Sequence, residues 1–210
     1  MKKQILFIFL FFSSVLSAQN ADSIVDKAAK AYETANGAKA SFSMSIRSDK
    51  QQTTEGFEGE IQIKGNKFTL KTPDMWIWFD GKTQWTYMLR TEEVNVTNPE
   101  GEDLQLMNPA LLLKDYKKGF KTEYKGESTS PSGKSAYNVM LYPRKKGNIQ
   151  QVDLQIEKLS ALPTSITVMF KDGTTTLIRI LNMRTGLNQP DHLFVFNASD
   201  FPGAEVIDIR

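Results

Sequence analysis

The sequence predicts a mainly β (α+β) fold: an open, incomplete antiparallel β-barrel of about ten strands, with an apolar interior covered by helices. Most of the chain after residue 38 alternates apolar and polar residues with a period of two, which is typical of strands with one buried face. Only two segments of any length have the period of a helix. Such a sheet must curl to bury its apolar face, so its interior is either filled by side chains or left partly open as a ligand cavity.

The chain begins with the pattern of a secretory signal peptide. Two lysines precede an almost wholly apolar run over residues 4–16, and small residues follow before Gln19. The run is shorter than the roughly 20 residues that a bilayer core requires. The predicted domains are a cleaved signal peptide at residues 1–18 and a single domain at residues 19–210. We expect the exported domain to be soluble, without stable membrane insertion.

Composition excludes several classes of function. The chain has no cysteine and one histidine, which leaves structural zinc without ligands and removes disulfides and thiol nucleophiles. Without residues 1–18 and their two lysines, 24 basic and 24 acidic residues remain, and this balance gives no electrostatic basis for binding nucleic acid. No phosphate-binding or dinucleotide-binding glycine motif is present. We therefore expect no metal, no cofactor and no nucleic-acid partner.

The first elements are a helix over residues 23–36, which Gly37 ends, and a strand over residues 40–46. A hairpin follows at Gly65-Asn66. Its two-residue turn brings the apolar residues of both strands to one face, and Glu58, Glu60 and Gln62 are expected to face solvent. The predicted pairs are Ile63 with Phe68 and Ile61 with Leu70.

All three tryptophans lie in a second hairpin, over residues 75–87. Asp80-Gly81 between two apolar runs indicates a two-residue type I′ turn, which would pair Phe79 with Lys82. Side-chain alternation then places four aromatic residues on one face. These are Trp76, Trp78, Trp85 and Tyr87.

The aromatic face of this hairpin is either part of a filled core or the wall of a ligand cavity. The opposite face also carries apolar residues, so alternation does not decide which face is concave. Polar Lys82, Gln84 and Thr86 lie on that opposite face and fit an outer surface better than a dry cavity. We therefore expect the aromatic face to line the cavity.

A strand near residues 93–98 precedes a second helix. Asn108 and Pro109 form an N-cap and N1 pair, and the helix is predicted to run through Lys118 and to stop at Gly119. Its apolar residues surround more of the helix than one core contact requires, which favours a lid over the cavity. The predicted lid residues are Met107, Leu111, Leu112 and Leu113.

Later strands are predicted over residues 121–127, 136–142, 150–157, 164–171 and 174–182, with a final strand within residues 194–209. An Asp172-Gly173 turn joins two of them. The fourth of these strands adds Ile166, Val168 and Phe170 to the apolar interior.

No catalytic constellation is recognisable, so we expect no enzymatic activity. Any Ser-His-Asp scheme would have to use His192, which lies in a polar turn typical of a solvated histidine. The strands carry many glutamates, so a catalytic pair of carboxylates, as used to cleave sugars, is kept as an alternative. An exported hydrolase acting on carbohydrate or lipid is therefore a less favoured alternative.

With these residues in view, the chain resembles the LolA family of periplasmic outer-membrane lipoprotein carriers. The resemblance covers nearly all of residues 19–210. It includes the leading helix, the segment Gly59-Glu60-Ile61-Gln62-Ile63-Lys64, the Asp-Gly-Lys-x-x-Trp-x-Tyr segment of residues 80–87, the leucine-rich helix, and the tail motif Phe201-Pro202-Gly203.

The resemblance implies a soluble periplasmic chaperone that carries lipoproteins from the inner to the outer membrane. It implies that acyl chains bind in the cavity, that acylated lipoproteins are the cargo, and that an inner-membrane ATP-driven lipoprotein-releasing transporter is a partner; the outer-membrane acceptor is unknown. A lipid- or glycolipid-binding sensor or regulatory module on the same barrel is the alternative. The residues that strand alternation predicts to line this cavity are Ile61, Ile63, Phe68, Leu70, Trp76, Trp78, Trp85, Tyr87, Ile166, Val168 and Phe170.

One departure from the family concerns the lid. The family commonly has an arginine directly after the lysine that matches Lys64, where it ties the lid to the barrel. Here Gly65 and Asn66 follow. We therefore expect the lid to rest on apolar contacts alone, unless a polar contact not recognisable in the sequence replaces that arginine.

Overall fold

The structure is a computed structural model that describes residues 12–50, 53–100, 104 and 108–210. Its helices are α1 (Phe12–Thr34) and α2 (Pro109–Gly119), with short 3-10 helices at Asp191–Phe194 and Ala198–Asp200. Its strands are β1 (Ala38–Ser48), β2 (Thr53–Lys64), β3 (Lys67–Lys71), β4 (Met75–Phe79), β5 (Gln84–Met88), β6 (Glu93–Thr97), β7 (Phe120–Thr129), β8 (Ser135–Pro143), β9 (Ile149–Glu157), β10 (Pro163–Phe170), β11 (Thr174–Thr185) and β12 (Glu205–Asp208).

All twelve of these strands belong to one sheet, in the order β12-β6-β5-β4-β3-β2-β1-β11-β10-β9-β8-β7. Neighbours pair antiparallel, except that β12 lies parallel to β6. Strands β12 and β7 form the two edges and are not hydrogen-bonded to each other, so the sheet is open. The predicted architecture is confirmed.

The two helices lie on one face of this sheet. Helix α1 packs on β7, β8 and α2, and α2 also contacts β7. We call the sheet face beneath them the inner face and the opposite one the outer face. Apolar side chains of both helices and of the inner face form one continuous core. It includes Ile24, Val25, Ala28, Phe42, Ile61, Phe68, Phe79, Leu112, Leu113, Val139, Val152 and Ile166.

Helix α1 begins earlier than the sequence predicted, at Phe12 rather than residue 23. The apolar run of the predicted signal peptide is compatible with helix, and no breaker separates it from the following residues. Helix α2 follows its prediction closely. The Asn108 side chain accepts a hydrogen bond from the Ala110 backbone nitrogen at 3.0 Å, and Pro109 occupies the first helical position.

The first hairpin has the predicted register. Ile63 pairs with Phe68 and Ile61 with Leu70, around a turn in which Gly65 has φ +61°. Glu58 and Glu60 are exposed on the outer face, as expected. Gln62 also lies on that face but is half-buried, because the Gln189 side chain donates a hydrogen bond to it.

The second hairpin differs from its prediction by two residues. Phe79 pairs with Gln84 and not with Lys82, so the loop contains four residues instead of two. The Asp80 carboxylate accepts hydrogen bonds from the backbone nitrogens of Lys82 and Thr83, both at 2.8 Å, which stabilises the longer loop. A shift of two leaves every side chain on its predicted face.

Candidate functional site

The apolar inner face brings together most of the residues predicted to line the interior. Five of them are buried in the continuous core, and two are half-buried and pack against it. The buried residues are Ile61, Ile63, Phe68, Ile166 and Val168, and the half-buried ones are Leu70 and Phe170. Strands far apart in the sequence thus contribute to one apolar surface.

Helix α2 covers part of this surface with two of its predicted lid residues. Leu112 and Leu113 are 2% and 1% exposed and belong to the same core. Leu111 is half-buried, and Met107 lies outside the described residues. Leu112 and Leu113 are therefore buried in the interior, and α2 contacts both α1 and β7.

Polar contacts also hold α2, and they go to α1. The Tyr116 hydroxyl donates at 2.9 Å to the Asp26 carboxylate and lies 3.1 Å from the Asp22 carbonyl oxygen. Lys117 forms an ion pair with Asp26 at 2.8 Å. Burial and then the hydrogen bond to Asp26 raise the pKa of Tyr116, which keeps its hydroxyl protonated as a donor.

The expectation that α2 rests on apolar contacts alone is therefore wrong. Asp22 and Asp26 are four residues apart, which places both carboxylates on one face of α1. That spacing is the sequence signal for a polar partner on the facing helix.

Lys64 contacts a different segment. Its ammonium group donates to the Gln189 carbonyl oxygen at 2.7 Å and to Asp191 at 2.8 Å, and Lys67 binds the second oxygen of Asp191 at 2.8 Å. Hydrogen bonds from these two lysines lower the pKa of Asp191 to about 2. The lysine that matches the family's position thus fastens residues 189–191 to the outer face.

The aromatic residues of the second hairpin lie on the outer face, so the prediction that they line the interior is wrong. Their partners across the strands are outer-face residues, as in the pair of Trp78 with Thr69. The residues concerned are Trp76, Trp78, Trp85 and Tyr87. They share one face, as predicted, although each pairs with a residue two positions away from its predicted partner.

The chain's own C-terminal segment explains this placement. Phe201 packs edge-on against Trp76 and Trp78, with ring centroids 5.7 and 5.5 Å apart, and Phe196 lies 5.4 Å from Trp78. Tyr87 lies 4.7 Å from Phe201. Residues 194–201 thus form an apolar cover over the outer face of β4 and β5, separate from the core beneath the helices.

The inner face of the same hairpin carries Ile77 and Phe79, both in the core, beside the polar Gln84 and Thr86. Gln84 is 7% exposed. Its amide nitrogen donates to the Thr86 hydroxyl at 3.1 Å, whereas its Oε1 has no hydrogen-bond partner among the described residues. The sequence assigns this residue to the outer surface, whereas the structure buries it on the inner face.

The described part of the chain gives little support for a metal site, for catalysis by histidine or for a membrane-spanning helix. It contains no group of three or more His, Cys, Asp or Glu side chains placed to hold a metal ion. His192 is exposed in the first 3-10 helix. None of the described helices combines the length and the apolar character needed to cross a membrane.

Comparison with known proteins places this architecture in a family. Residues 12–173 match the sequence profile of the family described as outer membrane lipoprotein carrier protein LolA. The chain belongs to this family. The matched range of the LolA family ends directly before β11, so that strand and the C-terminal segment over the tryptophans lie beyond it.

Individual relatives are distant. An uncharacterized protein of Methanocaldococcus jannaschii is 25% identical over 193 residues, which are 91% of this chain and 55% of that protein. The chain thus spans about half the length of this curated relative.

Two solved structures share the fold at 12% identity. An uncharacterized conserved protein from Thermus thermophilus has a TM-score of 0.58, covering 90% of this chain and 99% of the other. A DUF1329 family protein from Desulfovibrio piger has a TM-score of 0.51, covering 88% and 99%.

Proposed function

We propose that this member of the LolA family is an exported, periplasmic chaperone, and not an enzyme, that binds the acyl chains of lipoproteins against its inner sheet face. The observation that carries the proposal is the continuous apolar core formed by the inner face and by the leucines of α2. This surface lies on the helix-covered side of an open sheet, beneath α1 and α2.

The physical need for such a surface follows from the cost of exposing lipid. Burying an acyl CH₂ group yields about 0.8 kcal/mol, so a chain of about sixteen carbons resists entering water by on the order of 12 kcal/mol. A carrier must replace the contacts that the membrane provided. Non-directional contacts with Leu, Ile, Val and Phe side chains do this without fixing one cargo.

Acyl chains reach the inner face when α2 moves away from it. The chains then take over the contacts that Leu112 and Leu113 make in the closed state, so apolar burial is exchanged and not lost. The polar contacts of Tyr116 and Lys117 add a further, modest cost of opening. The closed state is thus the form without cargo.

The same energetics indicates the partners. Pulling an acyl chain from a bilayer requires an energy source, which this chain does not contain in any recognisable motif. An ATP-driven transporter of the inner membrane would supply it, and an acceptor at the outer membrane would receive the cargo.

Identification of bound cargo tests the proposal. The exported protein is purified from the periplasm, and co-purifying molecules are identified by mass spectrometry. We expect acylated polypeptides. Glycolipids or other lipids in their place would favour the sensor alternative, and an absence of any acylated molecule would contradict the proposal.

A matched pair of variants controls for non-specific binding. Ile178 and Leu177 are neighbouring half-buried residues of β11, and Ile178 packs on the core whereas Leu177 pairs with Thr167 on the outer face. We expect Ile178→Asp to lose cargo and Leu177→Asp to retain it. Circular dichroism of both variants verifies that each is folded.

A further inference from the structure

The inner face of the sheet changes from apolar to polar between β4 and β6. Strand β4 presents Ile77 and Phe79 to the core. The residues paired with them on β5 are polar, and so are the next partners on β6. In this strip Gln84 pairs with Thr97 and Thr86 pairs with Asn95.

Gln84 is the buried centre of this polar strip. The residue is 7% exposed, and its side chain uses only one of its two polar atoms, in the bond to Thr86. No described residue bonds to the other, Oε1. Buried amides normally have partners on both atoms, because an unpaired one loses its bonds to water without compensation.

The fold does not require an amide at this position. Phe79, directly across the hairpin, fills the adjoining part of the inner face with an apolar ring, and an apolar residue at position 84 would continue that pattern. The unpaired atom is therefore a cost to the closed protein, and such costs point to a ligand or to an internal water.

We propose that the strip of Gln84, Thr86, Asn95 and Thr97 binds a secondary amide of the cargo, at the point where its polypeptide meets its acyl chains. This inference rests on the proposed carrier function and deepens it by assigning the polar part of the same site. Acyl chains would lie on Ile77 and Phe79, and the amide would lie on β5 and β6.

An amide is the cargo group that fits this strip best. It carries both a donor and an acceptor, which match the unpaired oxygen of Gln84 and the hydroxyl of Thr86. An ester offers acceptors only, and a hydrocarbon offers neither. The strip would therefore favour acylated polypeptides over lipids that contain only esters.

Substitution of Gln84 tests the inference with three probes. Gln84→Met keeps the length of the side chain and removes its amide. The control is Gln151→Met, which makes the same change at a half-buried outer-face position of β9. The probes are a synthetic dipalmitoylated lipopeptide, methyl palmitate and the hydrocarbon dye diphenylhexatriene, and the two lipids are measured by displacement of the dye.

We expect Gln84→Met to weaken binding of the lipopeptide about tenfold, as the loss of a hydrogen bond to a buried group does. Binding of methyl palmitate and of the dye should stay within about twofold, and Gln151→Met should change none of the three. The melting temperature of Gln84→Met without ligand should equal or exceed that of the wild type, since an unpaired buried amide is removed.

Three results would overturn the inference. Equal weakening of all three probes would make Gln84 a packing residue, and unchanged lipopeptide binding would leave an internal water as its only partner. A large fall in the melting temperature would make the amide structural. If the wild type bound none of the probes, the carrier function itself would fail, which is a separate and recognisable outcome.

Discussion

At the scale of single residues, one carboxylate fastens the C-terminal segment to the sheet. Asp191 receives hydrogen bonds from Lys64 and Lys67, each at 2.8 Å, and its pKa falls to about 2. The pKa of an unfolded aspartate is about 3.9. Because the folded pKa is the lower one, the ion pairs stabilise the protein fully above about pH 4, and the gain is lost as the pH falls toward about 2.

Replacement of this carboxylate gives a pH-dependent prediction. We expect Asp191→Asn to lower the melting temperature at about pH 7, and the difference from the wild type to close between about pH 4 and about pH 2. Asp200→Asn is the control, because Asp200 lies in the same segment and forms no ion pair with a described residue. Thermal melts across this pH range measure the effect, and a difference that persists at the acid end would contradict it.

At the scale of elements, we expect α2 to be the part of the structure that moves when the interior opens. Tyr116 holds α2 to α1 by donating a hydrogen bond to Asp26, and no other residue of α2 carries a hydroxyl group. We expect Tyr116→Phe to lower the free energy of unfolding by about 1 kcal/mol. The same change should speed the uptake of diphenylhexatriene, because α2 then leaves the core more readily.

The control for this prediction is Tyr142→Phe. Tyr142 also donates a hydrogen bond to a carboxylate, that of Glu123 at 3.0 Å. It lies on β8 and not on α2, so its removal leaves the contact between α2 and α1 unchanged. Stopped-flow fluorescence measures uptake in both variants. Uptake by Tyr116→Phe at the wild-type rate would mean that α2 does not control access to the interior.

Local patterns predicted most elements correctly, because the signals that define them are local. Gly65-Asn66 defines a two-residue turn, and the alternation around it leaves one apolar face, so the register followed. Asn108 and Pro109 likewise defined the start of α2. For Asp80-Gly81 the same reasoning predicts a loop that is two residues too short, since the Asp80 side chain stabilises a longer loop.

Packing between residues far apart in the sequence determines which face of β4 lies inside, which the alternation of apolar residues does not predict. Strand β4 is apolar on both faces, so its pattern does not distinguish inside from outside. Phe196 and Phe201, much later in the chain, cover Trp78 on the outer face and determine the outcome. The sequence assigns Gln84 to the outer surface because an amide does not suit a dry interior, whereas the structure buries it on the inner face.

At the scale of the whole molecule, one open sheet is covered on its two faces by different parts of the chain. Helices α1 and α2 cover the inner face, and the C-terminal segment covers the aromatic residues of the outer face. The range matched to the LolA family contains both helices and most of the inner face. We therefore propose that cargo binds to the inner face and that the outer cover stabilises the fold.

Photocrosslinking at neighbouring positions of β10 tests this central claim most directly. Phe170 is half-buried against the core, and Met169 is half-buried on the outer face, where it pairs with Gln151. Benzoylphenylalanine is placed at one or the other position, and the protein is irradiated with a dipalmitoylated lipopeptide. We expect a crosslink to the acyl chains from position 170 and none from position 169. Equal crosslinking from both positions, or crosslinking from position 169 alone, would contradict the assignment of cargo to the inner face.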